Sequence, residues 1–226
     1  VGVSQSNDDG YEVSGVVTLN TDNVIISQGT ANVTSGFRFQ KVNIPQGATI
    51  QSASIKITSG SNNLPDTSID ITGELVADSP AFDSSPSNLS SRSRTASSVT
   101  WDTANAFPDA SEEISTPDLS AILQEVVNQP GWWGGKSISF IFDATSIDAG
   151  GGRLAKAVDA GDGGNVQLVV EYDHLTATGC IQGELTYQVS SQRNNAEETN
   201  SGYQSTGSEL TFNPNYNAHI AMRFEN

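Results

Sequence analysis

The sequence predicts an all-β protein: an antiparallel β-sandwich or jelly roll with one short covering helix at about residues 117–129. Three observations predict it. Runs that alternate apolar with polar residues, rich in Val, Ile, Thr and Ser, recur along the chain, and a period of two buries one face of a strand. The 21 glycines fall between those runs, among Asn, Asp, Ser and Pro, the residues that reverse a chain. A convincing helical spacing occurs in one segment alone.

Taken in order, Val1 to Gln5 reads as a short strand and Asn7-Asp8-Asp9-Gly10 as a turn, with Glu12 just beyond it. Val16–Leu19 and Val24–Ser27 are two further short strands. Residues 36–58 organise the rest. Phe37, Phe39 and Val42 alternate with Arg38 and Gln40, Asn43-Ile44-Pro45-Gln46-Gly47 makes a turn, and Ile50, Ala53, Ile55 and Ile57 follow among polar residues. This reads as a hairpin with one buried face. Thr67–Ala77 is another strand, 78–98 a Ser-rich loop containing Arg92 and Arg94, and Ser98–Trp101 extended.

The helix is justified by its ends and its stripe. Thr116 is placed to cap it, Pro117 suits the first helical position and Asp118 complements the dipole. Leu119, Ile122, Leu123 and Val126 share one face, and Pro130-Gly131 stops it. It is expected to cover one open end of the sandwich. Ser137–Phe142, Arg153–Val158 and Val166–Tyr172 complete the strands.

Three regions follow: a sandwich module at 1–173, a linker at 174–182, and residues 183–226 as the start of a second copy or a strand-donating tail. Val189-Ser190 matches Val3-Ser4, and Asn195-Ala196-Glu197-Glu198 lies opposite Asp9-Gly10-Tyr11-Glu12. Met222-Arg223-Phe224-Glu225 matches Phe37-Arg38-Phe39-Gln40 at a separation of 185 residues (223 minus 38), with one residue of slip between the alignments. A tandem repeat gives such recurrence.

The chain has 226 residues and a formal charge of −16, from 26 acidic against 10 basic side chains. Such a surface repels nucleic-acid phosphates and offers oxygen ligands to hard cations, which makes Ca²⁺ a candidate cofactor. One cysteine, Cys180, leaves no disulfide framework within the chain; it is either a free thiol or a link between chains. The sole methionine is Met222 and the chain opens at Val1, which fits a processed or excised piece. No apolar run is long enough to cross a bilayer as a helix. The scarcity of Lys and Cys, with abundant Ser, Thr, Asn and Gly, predicts an extracellular or cell-surface bacterial protein.

The runs FRFQKVNIPQGATIQSASIKI, SSVTW, TPDLSAILQEVVNQPGWWGG and SISFIF resemble a repeated module of large bacterial surface proteins. The layout is similar to the DNRLRE-type β-sandwich family, some of whose members are carbohydrate-binding modules. The resemblance spans about residues 3 to 172 and the repeated start after Gly183. It implies adhesion, matrix or sugar-binding roles on a shared fold.

Candidate sites are few. Asp8, Asp9 and Glu12, echoed by Glu197 and Glu198, could ligate Ca²⁺, as could Asp143, Asp148, Asp159 and Asp162 among glycines. Each cluster also fits plain turn chemistry. Trp132 and Trp133, if exposed together, would form a stacking platform for sugar rings; a tryptophan after a helix stop also plugs a core edge. His174 and His219 are isolated, and no catalytic motif is present. The expectation is therefore a non-catalytic structural or adhesive module of a repeat protein or fibre, with a calcium-stabilised carbohydrate-binding module, taking surface glycans, as the alternative. In the tail, Tyr187, Val189, Leu210, Phe212, Ile220, Met222 and Phe224 would expose apolar side chains and strand edges. The tail either folds back on its own module or joins a neighbouring copy head to tail, and the second is favoured.

Overall fold

The computed structural model describes residues 1–29, 31–60, 67–102, 110–147, 152–161, 166–173, 195–199, 202–204 and 219–222. They fall into two compact units, Val1–Ile181 and Gln182–Asn226. The first is mostly antiparallel strands with one short helix, as the alternating runs predict.

Its strands are β1 (Asp9–Val13), β2 (Val16–Thr18), β3 (Asn23–Gln28), β4 (Val33–Val42), β5 (Thr49–Thr58), β6 (Thr67–Glu74), β7 (Arg94–Asp102), β8 (Glu113–Ser115), β9 (Lys136–Ile147), β10 (Gly152–Lys156) and β11 (Gln167–Asp173), with helix α1 (Ser120–Val127) between β8 and β9. One sheet has six strands in the order β2-β1-β4-β9-β6-β7. Opposite it lie β11-β5-β8 and β10-β3, bridged where Ser59 meets Ala155. Residues Val1–Val3 pair with the outer edge of β11, through Leu168 N–H to Val1 O at 2.8 Å and Val3 N–H to Val166 O at 2.9 Å.

The expected hairpin at 36–58 is not one. β4 pairs with β1 and β9, whereas β5 pairs with β11 and β8. The turn at 43–47 therefore carries the chain from one sheet to the other. Both strands have one apolar face, and facing each other across the core buries Phe37 and Phe39 against Ile55 and Ile57, where lying side by side would leave both faces needing a cover. The break in phase between Phe39 and Val42 is a bulge in the pairing with β9, with Lys41 at a φ of 55°; the extra residue lets Phe39 and Val42 both point inward.

β9 is the central strand, paired with β4 on one side and β6 on the other. Its near-continuous apolar run follows from burial on both faces. Phe140 and Phe142 enter the main core, edge-on to Phe39 and Phe37 at ring distances of 6.2 and 5.3 Å. Ile141 points the other way, into a small second cluster with Phe82 and Leu89. Those two come from the loop between β6 and β7, which lies over the outer face. Arg92 ties that loop down: its guanidinium donates to Glu74 Oε2 at 2.7 Å, to the carbonyls of Pro80 and Ala81 and to Asn88 Oδ1, and it sits 4.5 Å from the Phe82 ring centre.

The helix is shorter than its sequence pattern. It begins at Ser120, with no side-chain cap at Leu119; residues 116–119 serve the sheet, and Asp118 also accepts from Ser120 N–H at 3.2 Å and Ser120 Oγ at 2.6 Å. Thr116 N–H donates to Ile55 O and its hydroxyl oxygen accepts from Ile55 N–H, both at 3.0 Å. Asp118 Oδ1 accepts from Ala53 N–H at 2.9 Å, and Leu119 N–H donates to Ala53 O at 2.7 Å. These residues extend the edge pairing of β5 beyond β8. The helix then seals the gap between the sheets with Ile122, Leu123, Val126 and Val127 buried.

Gly36 lies beneath the outer loop, and a Cβ there would stand 2.7 Å from Phe82 Cζ and 3.0 Å from Leu89 Cδ2. Gly36→Ala should destabilise the fold by about 1–3 kcal/mol through overpacking, read by urea unfolding. Limited proteolysis should cut the 75–93 loop faster in the variant. Unchanged stability and cleavage would mean the loop is not seated on β4 in this way.

Candidate functional site

The acidic residues at the start of β1 are the first candidates. Asp9 and Gly10 lie in the strand rather than in a turn, so successive side chains leave in opposite directions. Asp8 and Glu12 are buried toward the outer loop, and each is bound by protein donors. Asp8 is ion-paired with Arg38 and accepts from Gln40 Nε2 at 2.6 Å and Ser4 Oγ at 3.3 Å. Arg38 continues to Ser79 O at 2.8 Å and Ser137 Oγ at 2.9 Å. Glu12 accepts from the N–H groups of Leu89 and Ser90 at 3.1 and 3.0 Å and from Ser90 Oγ at 2.6 Å, fixing the outer loop.

Asp9 faces the other way and accepts from Val158 N–H at 2.7 Å. Burial away from water pushes its carboxyl up to about 7, against the pull of the Val158 N–H, and the nearby carboxylates Asp159 and Asp8 push it further. Asp159 itself accepts from Ser6 Oγ at 2.5 Å. The expectation that Asp8, Asp9 and Glu12 share one Ca²⁺ is thus corrected. Their carboxylates diverge into separate hydrogen-bonded positions, and among the described residues no group of three or more acidic, His or Cys side chains could hold an ion. Asp143 accepts from Thr34 Oγ1 at 2.7 Å and lies 3.4 Å from Arg94 Nη2. Asp148, Asp162, His174 and Cys180 lie outside the described residues.

A cleft of about 480 Å³ beside β1 and β9 is lined by Glu12, Thr34, Ser90 and Asp143 among others. The protein's own donors engage both of its carboxylates.

The tryptophan pair divides. Trp132 is fully buried and donates Nε1–H to Ile44 O at 2.8 Å, which anchors the turn between β4 and β5. Trp133 is 71% exposed, with Lys136 Nζ 3.8 Å from its ring centre. A two-ring platform is therefore not formed: Trp132 plugs the core edge, and Trp133 alone offers an indole to solvent.

The remaining candidate is the second unit. Its strands β12 (Asn195–Thr199), β13 (Gly202–Gln204) and β14 (His219–Met222) form a sheet in the order β13-β12-β14. The pairs Glu197–Gln204, Glu198–Tyr203 and Thr199–Gly202 stand 186 residues (197 minus 11) after Tyr11–Thr18, Glu12–Val17 and Val13–Val16 of β1 and β2. Asn195–Met222, Ala196–Ala221, Glu197–Ile220 and Glu198–His219 follow Asp9–Phe37, Gly10–Gly36, Tyr11–Ser35 and Glu12–Thr34 in the same way, with β14 shifted by 185 (222 minus 37). Strand order, direction and register are those of β2-β1-β4. Leu210 and Phe212 stand 186 positions (210 minus 24) after Val24 and Ile26 in the sequence, two fully buried residues of β3. Of the assembly residues expected in the tail, Ile220 and Met222 are in β14, whereas Tyr187, Val189, Leu210, Phe212 and Phe224 lie outside the described residues.

No protein-family model matches the chain, and a search of curated proteins found no match.

Sequence reasoning missed the Arg38–Asp8 pair and the Arg92 hub. A signal existed for the first: Arg38 and Gln40 are two apart on one strand, hence on one face, and long polar side chains there need a partner. Arg38→Met leaves Asp8 buried without its cation and should cost about 3–5 kcal/mol in denaturant unfolding. A cost under about 1 kcal/mol would remove the pair from the fold's supports.

Asp9 gives a pH test. Its folded-state value lies above the ordinary 3.8, so the folded chain holds this proton more tightly than the unfolded chain. Its stabilising effect is full below pH about 3.8 and is lost as pH rises through about 7. Asp9→Asn keeps an acceptor for Val158 and should flatten stability across that window. At pH 8 the variant should be more stable than the parent, by at most about 4 kcal/mol. Parallel pH–stability curves would refute the assignment.

Proposed function

We propose that the chain is a non-catalytic structural or adhesive module of an extracellular bacterial repeat protein or fibre, joined head to tail through its C-terminal strands. The observation that carries this reading is the second unit's sheet, which follows the strand order and register of β2-β1-β4 at a shift of 186 residues for β12 and β13 (195 minus 9) and 185 for β14 (222 minus 37). Chance similarity between two alternating strands does not bring a hairpin and a third strand into one register. A repeat unit of that length is a full sandwich, so a second copy beginning after the first is the simplest source of the match. The acidic surface favours the same reading, because it keeps modules soluble while backbone pairing supplies the contact.

The test is assembly. The full chain should sediment as concentration-dependent oligomers, while a chain ended after Asp173 should stay a folded monomer. A monomeric full chain at high concentration, or a truncated chain that still assembles, would overturn the head-to-tail reading.

The exposure of Trp133 supports a second reading, a carbohydrate-binding module with a single stacking ring. On a glycan array this requires specific binding that Trp133→Ala abolishes. An array without such binding leaves the structural reading alone.

A further inference from the structure

We infer that residues 157–161, the segment after β10, form a latch on the core that ionisation of Asp9 releases.

The latch is fastened to both sheets. Ala157 N–H donates to Asp22 O, just before β3, at 3.0 Å, and Val158 N–H donates to Asp9 Oδ2 of β1 at 2.7 Å. Ala157 is buried in the main core, and Ala160 N–H closes a turn on Ala157 O at 3.1 Å. Beyond that turn, Ala160 and Gly161 line a cavity of about 380 Å³ together with Asp22, Asn23 and Lys156. That space lets the segment move off β1 while β10 stays paired with β3.

Asp9 is the fastening that can fail. It is 2% exposed, and among the described residues its carboxyl accepts from the Val158 N–H and has no ion pair. β1 also carries Asp8 and Glu12, both turned toward the outer loop. β2 and β3 carry no charged residue, and Asp22 precedes β3. β4 brings Lys41 and Arg38, the latter paired with Asp8. β10 brings Arg153 and Lys156, and the latch itself Asp159, whose carboxylate is tied to Ser6 Oγ at 2.5 Å. The charges that act on Asp9 are those of Asp159 and Asp8, both negative. A buried carboxylate with one donor and no cation beside it gains by reaching water.

Moving the segment off β1 brings water to Oδ2 and returns the carboxyl from about 7 toward its ordinary 3.8. The closed form thus holds the proton more tightly than the open form. The latch is fully shut below pH about 3.8 and loosens as pH rises toward about 7. Across that window the opening equilibrium grows by up to about tenfold per pH unit, and it levels off above.

Amide hydrogen exchange followed by NMR on the full chain tests this. Protection at Ala157, Val158 and Ala160, corrected for intrinsic rates, should fall at least about tenfold between about pH 5 and about pH 7. It should be unchanged by urea well below the unfolding transition, whereas exchange at Phe140 and Phe142 in the central strand should quicken. Asp9→Asn should abolish the pH dependence. Asp159→Asn removes a repelling charge and should move the levelling-off to lower pH. Protection at Val158 that stays level or rises with pH would overturn the inference, since the charged carboxylate would then keep its grip. So would the same fall in Asp9→Asn, or exchange at Val158 that tracks Phe140 in urea, which would mean that the segment opens only with the whole fold.

Discussion

Two stacked sheets leave an open side wherever no strand folds over it, and there the core and the unpaired peptide groups of two edges all meet water. In this chain that side lies between β5 and β7, and neighbouring residues of α1 close it. Gln124 accepts from Ile50 N–H and donates to Ala48 O, both at 2.9 Å. Glu125 accepts from the N–H groups of Ala96 and Ser97 at 2.8 and 2.9 Å. Successive helical residues point about 100° apart, so one side chain reaches each sheet while Ile122, Leu123, Val126 and Val127 fill the space between. Burial alone would raise the Glu125 carboxyl, yet the N–H groups of Ser97 and Ala96 and the Ser97 side chain hold it below its usual range. A fixed negative charge at the edge of β7 is thus part of the seal.

The sequence made the strands and the stripe of that helix legible, because both are periodicities. Long-range partnership was not legible. Phe37, Phe39, Ile55 and Ile57 read the same whether β4 and β5 lie side by side or face to face, and only the competing pairings with β1, β9, β11 and β8 decide between them. Thr116 and Asp118 look like helix-capping residues, but the open edge of β5 offers N–H groups that both oxygens accept from, and Asp118 alone also reaches the helix start at Ser120. Trp132 and Trp133 are neighbours with opposite fates. Their difference lies in the Ile44 carbonyl, 88 positions away in sequence, which no local pattern reveals. In the second unit, the likeness of residues 195–225 to the opening strands was legible as a pattern with one residue of slip, since strand register is itself a periodic property, and the tandem repeat it suggests is a proposal.

The charge distribution has a similar logic. With 26 acidic and 10 basic side chains, cations are scarce, and three of the arginines are spent on one face of the six-stranded sheet. Arg38, Arg92 and Arg94 meet Asp8, Glu74 and Asp143, all at or beneath the loop that covers that face. A buried carboxylate without such a partner pays heavily in desolvation, and Asp9, which has only an N–H, is the one pushed toward neutrality. The outer loop is therefore an electrostatically fixed layer of the fold, held by Arg92 through carbonyls as well as carboxylates.

That layer bears on how copies of the module could meet. Surplus negative charge makes copies of such a module repel at long range, which opposes steering by opposite charge. In the assembly proposed above, the contact would be short-range pairing at a strand edge. A strand edge suits this: its N–H and C=O groups are uncharged, its register is set by side-chain alternation, and a one-residue slip turns every side chain to the wrong face. Among the described residues of the second unit, β14 has the one neighbour β12, which pairs in turn with β13.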